Sequence, residues 1–135
     1  ELNVSSLMES GLKNSKLVAL PRFSVKKKSY EVCEVDSLSD LVPGKFGVPE
    51  PTSNSQITDT KQLDLAIVPG VAFCGLGGRL GRGKGFFDRL LIDIPAKKCG
   101  VCFGLQLCHK VPVERHDVKM DMIATPSGWL LPASA

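Results

Sequence analysis

GGRLGRGKGFFDRLL, residues 77–91, is the stretch on which the reading of this chain turns. It sets Gly78, Gly81, Gly83 and Gly85 among Arg79, Arg82, Lys84 and Arg89. Glycine admits positive φ and lets backbone N–H groups approach a ligand with no side chain in the way. The interleaved guanidinium and ammonium groups add fixed positive charge. Phe86, Phe87, Leu90 and Leu91 then follow at helical spacing. A basic glycine loop running into a helix N-terminus is a phosphate cradle, because unpaired N–H groups and the helix dipole both favour an anion.

Two nucleotide motifs are excluded by the details. Residues 78–84 spell G-x-x-x-x-G-K, but Gly85 stands where a P-loop needs Ser or Thr to hold magnesium. Gly75, Gly77 and Gly81 do not make G-x-G-x-x-G, and no acidic ribose partner is evident. Asp88, just past the loop, offers a hard oxygen to Mg²⁺ beside the phosphates, or it complements the positive end of the helix. The residues alone leave both readings open.

Working outward, DLAIV (64–68) is a continuous apolar run, as expected of an interior parallel strand. Pro69-Gly70 ends it and launches the glycine loop. A helix is expected from Gly85 or Phe86 to about Asp93, and the next strand over 99–104. This strand-loop-helix-strand order implies a right-handed crossover in a mostly parallel sheet, with the loop at the strands' carboxyl ends. A last short strand lies near 121–125, followed by a Pro/Ser/Gly tail. Upstream, Leu2, Leu7, Met8 and Leu12 keep rough helical spacing. KLVALPR (16–22) reads as a strand that Pro21 closes by removing a ladder donor. Lys26, Lys27 and Lys28 read as a solvated turn, and 30–35 alternates as a half-buried strand. Asp36 or Ser37 caps a short helix, SLSDLV (37–42), which Pro43-Gly44 ends. Residues 43–60 read as loop, of a length that is usually functional or mobile. No internal repeat or second domain is visible, so 1–135 is taken as a single α/β domain.

Bulk properties narrow the function. With 135 residues, 43% of them hydrophobic and 23% charged, the chain has the composition of an ordinary soluble globular domain that can bury a core. A net charge of +3 suits one anionic small ligand better than a broad nucleic-acid face. No apolar run is long enough to span a membrane, and no secretory signal opens the chain. The five cysteines, Cys33, Cys74, Cys99, Cys102 and Cys108, cannot all pair, which points to a reducing compartment. Cys99-x-x-Cys102 with Cys108 and His109 nearby suggests zinc, but residues three apart on a strand face opposite ways, and core packing is the preferred reading.

These segments together resemble the 5-formyltetrahydrofolate cyclo-ligase (methenyltetrahydrofolate synthetase) family. The family pattern is a strand, PG-x-x-FD, then G-x-RLG-x-GKGYYD, and later P-x-E-x-x-D with an Asp four residues on. Here they stand as PGVAFC (69–74), GGRLGRGKGFFDR (77–89) and VPVERHDVKMD (111–121), with LPR (20–22) and GVPEP (47–51) similar to two further family segments. The resemblance implies a three-layer α/β fold of the CoA-transferase-like kind, an open, mostly parallel sheet with helices on both faces. It implies Mg-ATP-dependent conversion of 5-formyltetrahydrofolate to 5,10-methenyltetrahydrofolate, with release of ADP and phosphate. By position, Arg79, Leu80, Gly81, Arg82, Gly83, Lys84, Gly85, Phe86 and Phe87 would hold ATP, with Arg82 and Lys84 countering charge in the phosphoryl transfer. Arg82, Gly83, Lys84, Gly85 and Phe86 would also line the folate side, joined by Glu1, which aligns with a family glutamate that contacts the pterin. Asp88 and Asp117 would be the magnesium carboxylates; His116 is read as a surface neighbour. The expected partners are small molecules, 5-formyltetrahydrofolate and ATP, with no nucleic acid and no membrane, and the protein is expected to be a monomer, cytoplasmic, or organellar if the family's N-terminal part carries a transit segment.

Three departures from the family pattern stand out. Phe86-Phe87 replaces a tyrosine pair, keeping the rings and losing both hydroxyls. Cys74 replaces the aspartate of the family's FD. The chain also starts where the family has already made its first helix and first strand, a part expected to carry a lysine and an arginine that grip ATP. These departures support an alternative, a nucleotide- or folate-binding relative that does not turn over. RNA or DNA binding through RLGRGKG ranks last, for want of interleaved exposed aromatics and a wider basic surface.

Overall fold

The computed structural model describes residues 2–115 and 117–132. The chain divides into two compact units, residues 3–62 and residues 63–135 with 1–2.

In the first unit, α1 (Ser5–Lys13) starts where the Asn3 side chain accepts from the Ser5 N–H at 2.8 Å. Its helical spacing serves a one-sided surface helix, and none of its residues is fully buried. β1 (Val18–Ser24) and β2 (Ser29–Val35) form an antiparallel ribbon that stays in register from Val18–Val35 to Ser24–Ser29. Pro21 does not close β1 but sits within it opposite Val32. A two-stranded ribbon leaves each strand an outer edge, where a missing N–H breaks no ladder bond. The lysine turn is exposed, as expected.

Both Val32 and Cys33 are buried, because a second segment lies along β2. Glu34 N–H donates to the Gln56 carbonyl at 2.9 Å, Thr58 N–H donates to the Val32 carbonyl at 2.8 Å, and Cys33 bridges Ile57. The stretch read as loop therefore contains strand-like pairing, and also a small hairpin of β3 (Val42–Pro43) and β4 (Pro49–Glu50). The helix expected over 37–42 is a single 3₁₀ turn, Leu38–Asp40. Ser37, and not Asp36, caps it by accepting from the Ser39 N–H at 3.3 Å.

The second unit carries the central sheet. β5 (Leu65–Val68), β8 (Lys97–Val101) and β10 (Met122–Thr125) run parallel, and β11 (Gly128–Leu130) returns antiparallel to β10. The order is β11-β10-β8-β5. β5 is thus an edge strand of the described sheet and not an interior one, and Leu65 is half exposed. Its apolar run is used on one flank only. The Pro/Ser/Gly tail is likewise not tail throughout: Gly128 at φ 130° turns the chain into β11.

A second, three-stranded sheet is ordered β7-β6-β9: β6 (Ala72–Cys74) and β7 (Arg79–Leu80) come between β5 and α2 (Phe86–Ile92) in the chain, and β9 (Leu107–Cys108) follows β8. Strands of two or three residues leave too short a pattern to read. The core joins Val68, Phe73, Leu91, Cys102, Met120 and Ile123, with Ala72, Cys74 and Val111 as a smaller cluster. The α/β class expected from the sequence is what this architecture is, a mixed, mostly parallel central sheet with helices.

Candidate functional site

The basic glycine stretch does three structurally different things along its length. Residues 72–80 form the β6–β7 hairpin, closed by Gly77 N–H to the Cys74 carbonyl at 3.0 Å and Cys74 N–H to the Gly78 carbonyl at 3.1 Å. Residues 81–85 are the loop proper, where Arg82, Gly83 and Lys84 are exposed. From Phe86 the chain is helical, and α2 buries Leu91 in the core.

Arg79 and Asp88 bracket the loop and join across it. Arg79 Nη2 lies 3.1 Å from Asp88 Oδ1, and Arg79 Nη1 donates to the Pro69 carbonyl at 3.1 Å. The Arg79 side chain is 3% exposed and that of Asp88 16%. Gly81 makes room for this arginine, since a Cβ there would stand 3.1 Å from Nη1. One buried guanidinium thus ties the exit of β5, strand β7 and the first turn of α2 together. The buried Nε of Arg79 has no hydrogen-bond partner.

Beyond Gly81 the character changes. Gly83 adopts φ 96°, a region other residues rarely enter, and nothing lies within 4 Å of where its Cβ would point. Gly85 at φ 71° turns the chain into α2. Phe87 is 38% exposed, and Arg89 stacks its guanidinium 5.0 Å from the centroid of the Phe86 ring. The loop therefore presents two cations and open backbone around a position with free space.

Asp117 belongs to the 111–121 segment, which is pinned to the hairpin where Met120 N–H donates to the Gly77 carbonyl at 2.8 Å. Asp117 Oδ2 accepts from the Glu114 N–H at 2.8 Å, closing a local turn. Asp121 instead accepts from the Lys98 N–H at 2.8 Å and aligns β8 with the start of β10. Among the described residues no group of three or more His, Cys, Asp or Glu side chains converges on one point. The Cys99 and Cys102 thiols are buried in the core, and burial pushes both up from their ordinary range. That burial is the core packing the sequence suggested. Glu1 and His116 lie outside the described residues.

Sequence reasoning passed over Gln106. Its Nε2 donates to the Gly70 and Val71 carbonyls at 2.9 and 3.2 Å, and its Oε1 accepts from the Phe103 N–H at 2.9 Å. This carboxamide holds the turn between β5 and β6. A single Gln in an irregular segment carries no sequence signal for such a role.

A parallel sheet whose first strand leads through a short hairpin and a basic glycine loop to a helix defines an α/β protein. The chain belongs to the 5-formyltetrahydrofolate cyclo-ligase family, whose sequence profile matches residues 1–126. It is 26% identical to the mouse 5-formyltetrahydrofolate cyclo-ligase over 140 residues, covering 91% of this chain and 66% of the relative. It is 29% identical to a probable 5-formyltetrahydrofolate cyclo-ligase of Schizosaccharomyces pombe, covering 93% and 69%. The chain spans about two thirds of the length of these curated relatives. The NMR structure of Aquifex aeolicus 5,10-methenyltetrahydrofolate synthetase superposes with a TM-score of 0.83 at 31% identity, covering 100% of this chain and 68% of that one. A synthetase from Mycoplasma pneumoniae shares the fold, with a TM-score of 0.64 at 22% identity, covering 90% and 63%.

Proposed function

We propose that this chain takes part in the ATP-dependent conversion of 5-formyltetrahydrofolate to 5,10-methenyltetrahydrofolate, with Arg82 and Lys84 acting on the phosphates. The observation that carries this is the open loop at 81–85, two exposed cations flanking a positive-φ glycine with free space beside it. The family membership supplies the substrate class. It also supports treating 1–135 as one functional domain, because the match runs through both compact units.

In this reading the formyl oxygen attacks the γ-phosphorus and ADP departs. N10 then attacks the activated carbon, and phosphate leaves as the ring closes. No protein nucleophile is needed. Arg82, Lys84 and the loop's backbone N–H groups bind the phosphates and counter the charge that develops on their oxygens. Leu80, Gly81, Gly83, Gly85, Phe86 and Phe87 shape the ATP side, and Gly83, Gly85 and Phe86, with Glu1, line the folate side. Arg79, being buried, serves the site from beneath by holding Asp88.

Magnesium fits the donor set. It takes one or two carboxylates together with phosphate oxygens and water, so a three-carboxylate cluster is not required. Asp88 is held through Oδ1, and among the described residues no hydrogen bond or ion pair is seen at its Oδ2. Asp88 and Asp117 are the residues that would hold it, and when bound it would neutralise negative charge on the phosphate oxygens. The same reading has the protein working as a monomer on small molecules in the cytoplasm, a compartment consistent with its five free cysteines.

The test is to supply the chain with Mg-ATP and 5-formyltetrahydrofolate and follow the near-ultraviolet absorbance of the methenyl product. Product formation that falls at least a hundredfold in Arg82→Ala and Lys84→Ala, about the loss of one oxyanion-hole donor, is the expected result. Binding of both ligands without product would favour the non-catalytic relative, for which the lost hydroxyls at Phe86 and Phe87 are the first suspects. Binding of neither would overturn the reading.

A further inference from the structure

Arg89 is the fourth cation of the stretch, and neither the motif nor the charge pattern separates it from an ordinary exposed helix residue. The structure does. Its position one turn into α2 carries its side chain back over the loop, with its N–H bonded to the Gly85 carbonyl at 3.1 Å. The guanidinium stacks on Phe86 with Cζ 5.0 Å from the ring centroid. Its Nη1 lies close enough to Gly85 that a Cβ there would stand 3.2 Å away. The ion pairs Arg22–Glu31, Lys27–Glu31 and Arg79–Asp88 do not involve Arg89, and its neighbour Asp88 is taken by Arg79.

A flexible, exposed arginine is usually spread over many rotamers, and an exposed acid would normally draw it. Here the guanidinium lies over the Phe86 ring and close to Gly85, beside the loop. A guanidinium held over a ring keeps its N–H donors, which suit bidentate contact with an oxyanion. The stacking ring belongs to the residue that lines both ATP and folate in the proposed site.

We propose that Arg89 is a substrate-binding residue of the glycine-loop site, gripping an oxyanion of one of the two bound substrates through its guanidinium. The inference rests on the cyclo-ligase reading above. The oxyanion is either an ATP phosphate or a glutamate carboxylate of the folate, two sources of the same chemistry.

Isothermal titration of wild-type, Arg89→Ala and Arg89→Lys chains separates them, using Mg-ATP, 5-formyltetrahydrofolate and its triglutamate form. Arg89→Ala should weaken one ligand about tenfold or more, the scale of a lost charge-assisted hydrogen bond. Arg89→Lys should recover part of that, since it keeps the charge without the planar fork. Loss confined to ATP identifies a phosphate. Loss confined to folate, growing with the triglutamate, identifies a tail carboxylate. Because the residue is exposed, melting temperatures should not move. Wild-type binding with Arg89→Ala unchanged for all three ligands overturns this inference alone, as does equal weakening of every ligand with a fall in melting temperature. Wild-type chain that binds none of the three removes the parent reading, and this inference with it.

Discussion

Arg79 and Arg82 lie three residues apart in one glycine-rich stretch, yet the first is buried and the second exposed. In β7, Arg79 is directed inward to Asp88 and the Pro69 carbonyl. After Gly81 the chain leaves the hairpin and Arg82 faces water. Their substitutions should therefore separate. Arg79→Ala strands Asp88 and a carbonyl, and should cost about 3 kcal/mol, the lower end of the range for a broken buried pair, because Asp88 keeps some contact with water. Urea midpoints measure it. Arg82→Ala and Lys84→Ala should move stability by no more than about 0.5 kcal/mol while impairing the chemistry. An Arg79→Ala chain as stable as the wild type would show that the pair contributes nothing net to the fold.

Among elements, the β1–β2 ribbon depends on one arginine to organise what surrounds it. Arg22 on β1 pairs with Glu31 on β2 and donates to the Thr52 and Ser55 carbonyls of the following loop. The hydrogen bond from Arg22 is the largest influence on Glu31 and holds its carboxyl below the ordinary 4.5, with Lys27 adding to it and burial opposing. The folded pKa is the depressed one, so this contribution is fully present above about 4.5 and is lost as pH falls through the folded value. Glu31→Gln should consequently melt below the wild type at pH 7, and the gap should close as the pH is taken from 4.5 toward 2.5. A gap that stays constant over that range would mean the carboxylate charge is not what stabilises the ribbon. The periodicity of β2 was legible, while Arg22's part in it was not. A salt bridge across a ribbon and two carbonyls some thirty residues away in sequence leave no local pattern.

Across the whole chain, the cysteines report how burial is distributed. Cys33, Cys74, Cys99 and Cys102 are buried, Cys108 is exposed, and all five are free thiols. Thiolate formation and access both govern alkylation. A thiol reagent at pH 8 should modify one cysteine of the native chain quickly and the other four only on unfolding, and Cys108→Ser should abolish the fast phase. Two or more fast thiols would contradict the packing described. The sequence by itself determined the α/β class, α1, the ribbon strands, the parallel strands β5, β8 and β10, the onset of α2 at Gly85 or Phe86 and the family. Those rest on local spacing of apolar residues, on glycine and proline, and on one dense motif. Only the tertiary structure decided that β5 is an edge strand, that 43–60 and 126–132 contain paired strands, and that Arg79 is buried against Asp88 while Arg89 lies over Phe86. Pairing partners and the direction of a charged side chain depend on residues distant in sequence. An arginine beside a glycine looks the same in the sequence whether it will meet a carboxylate inside or an anion outside.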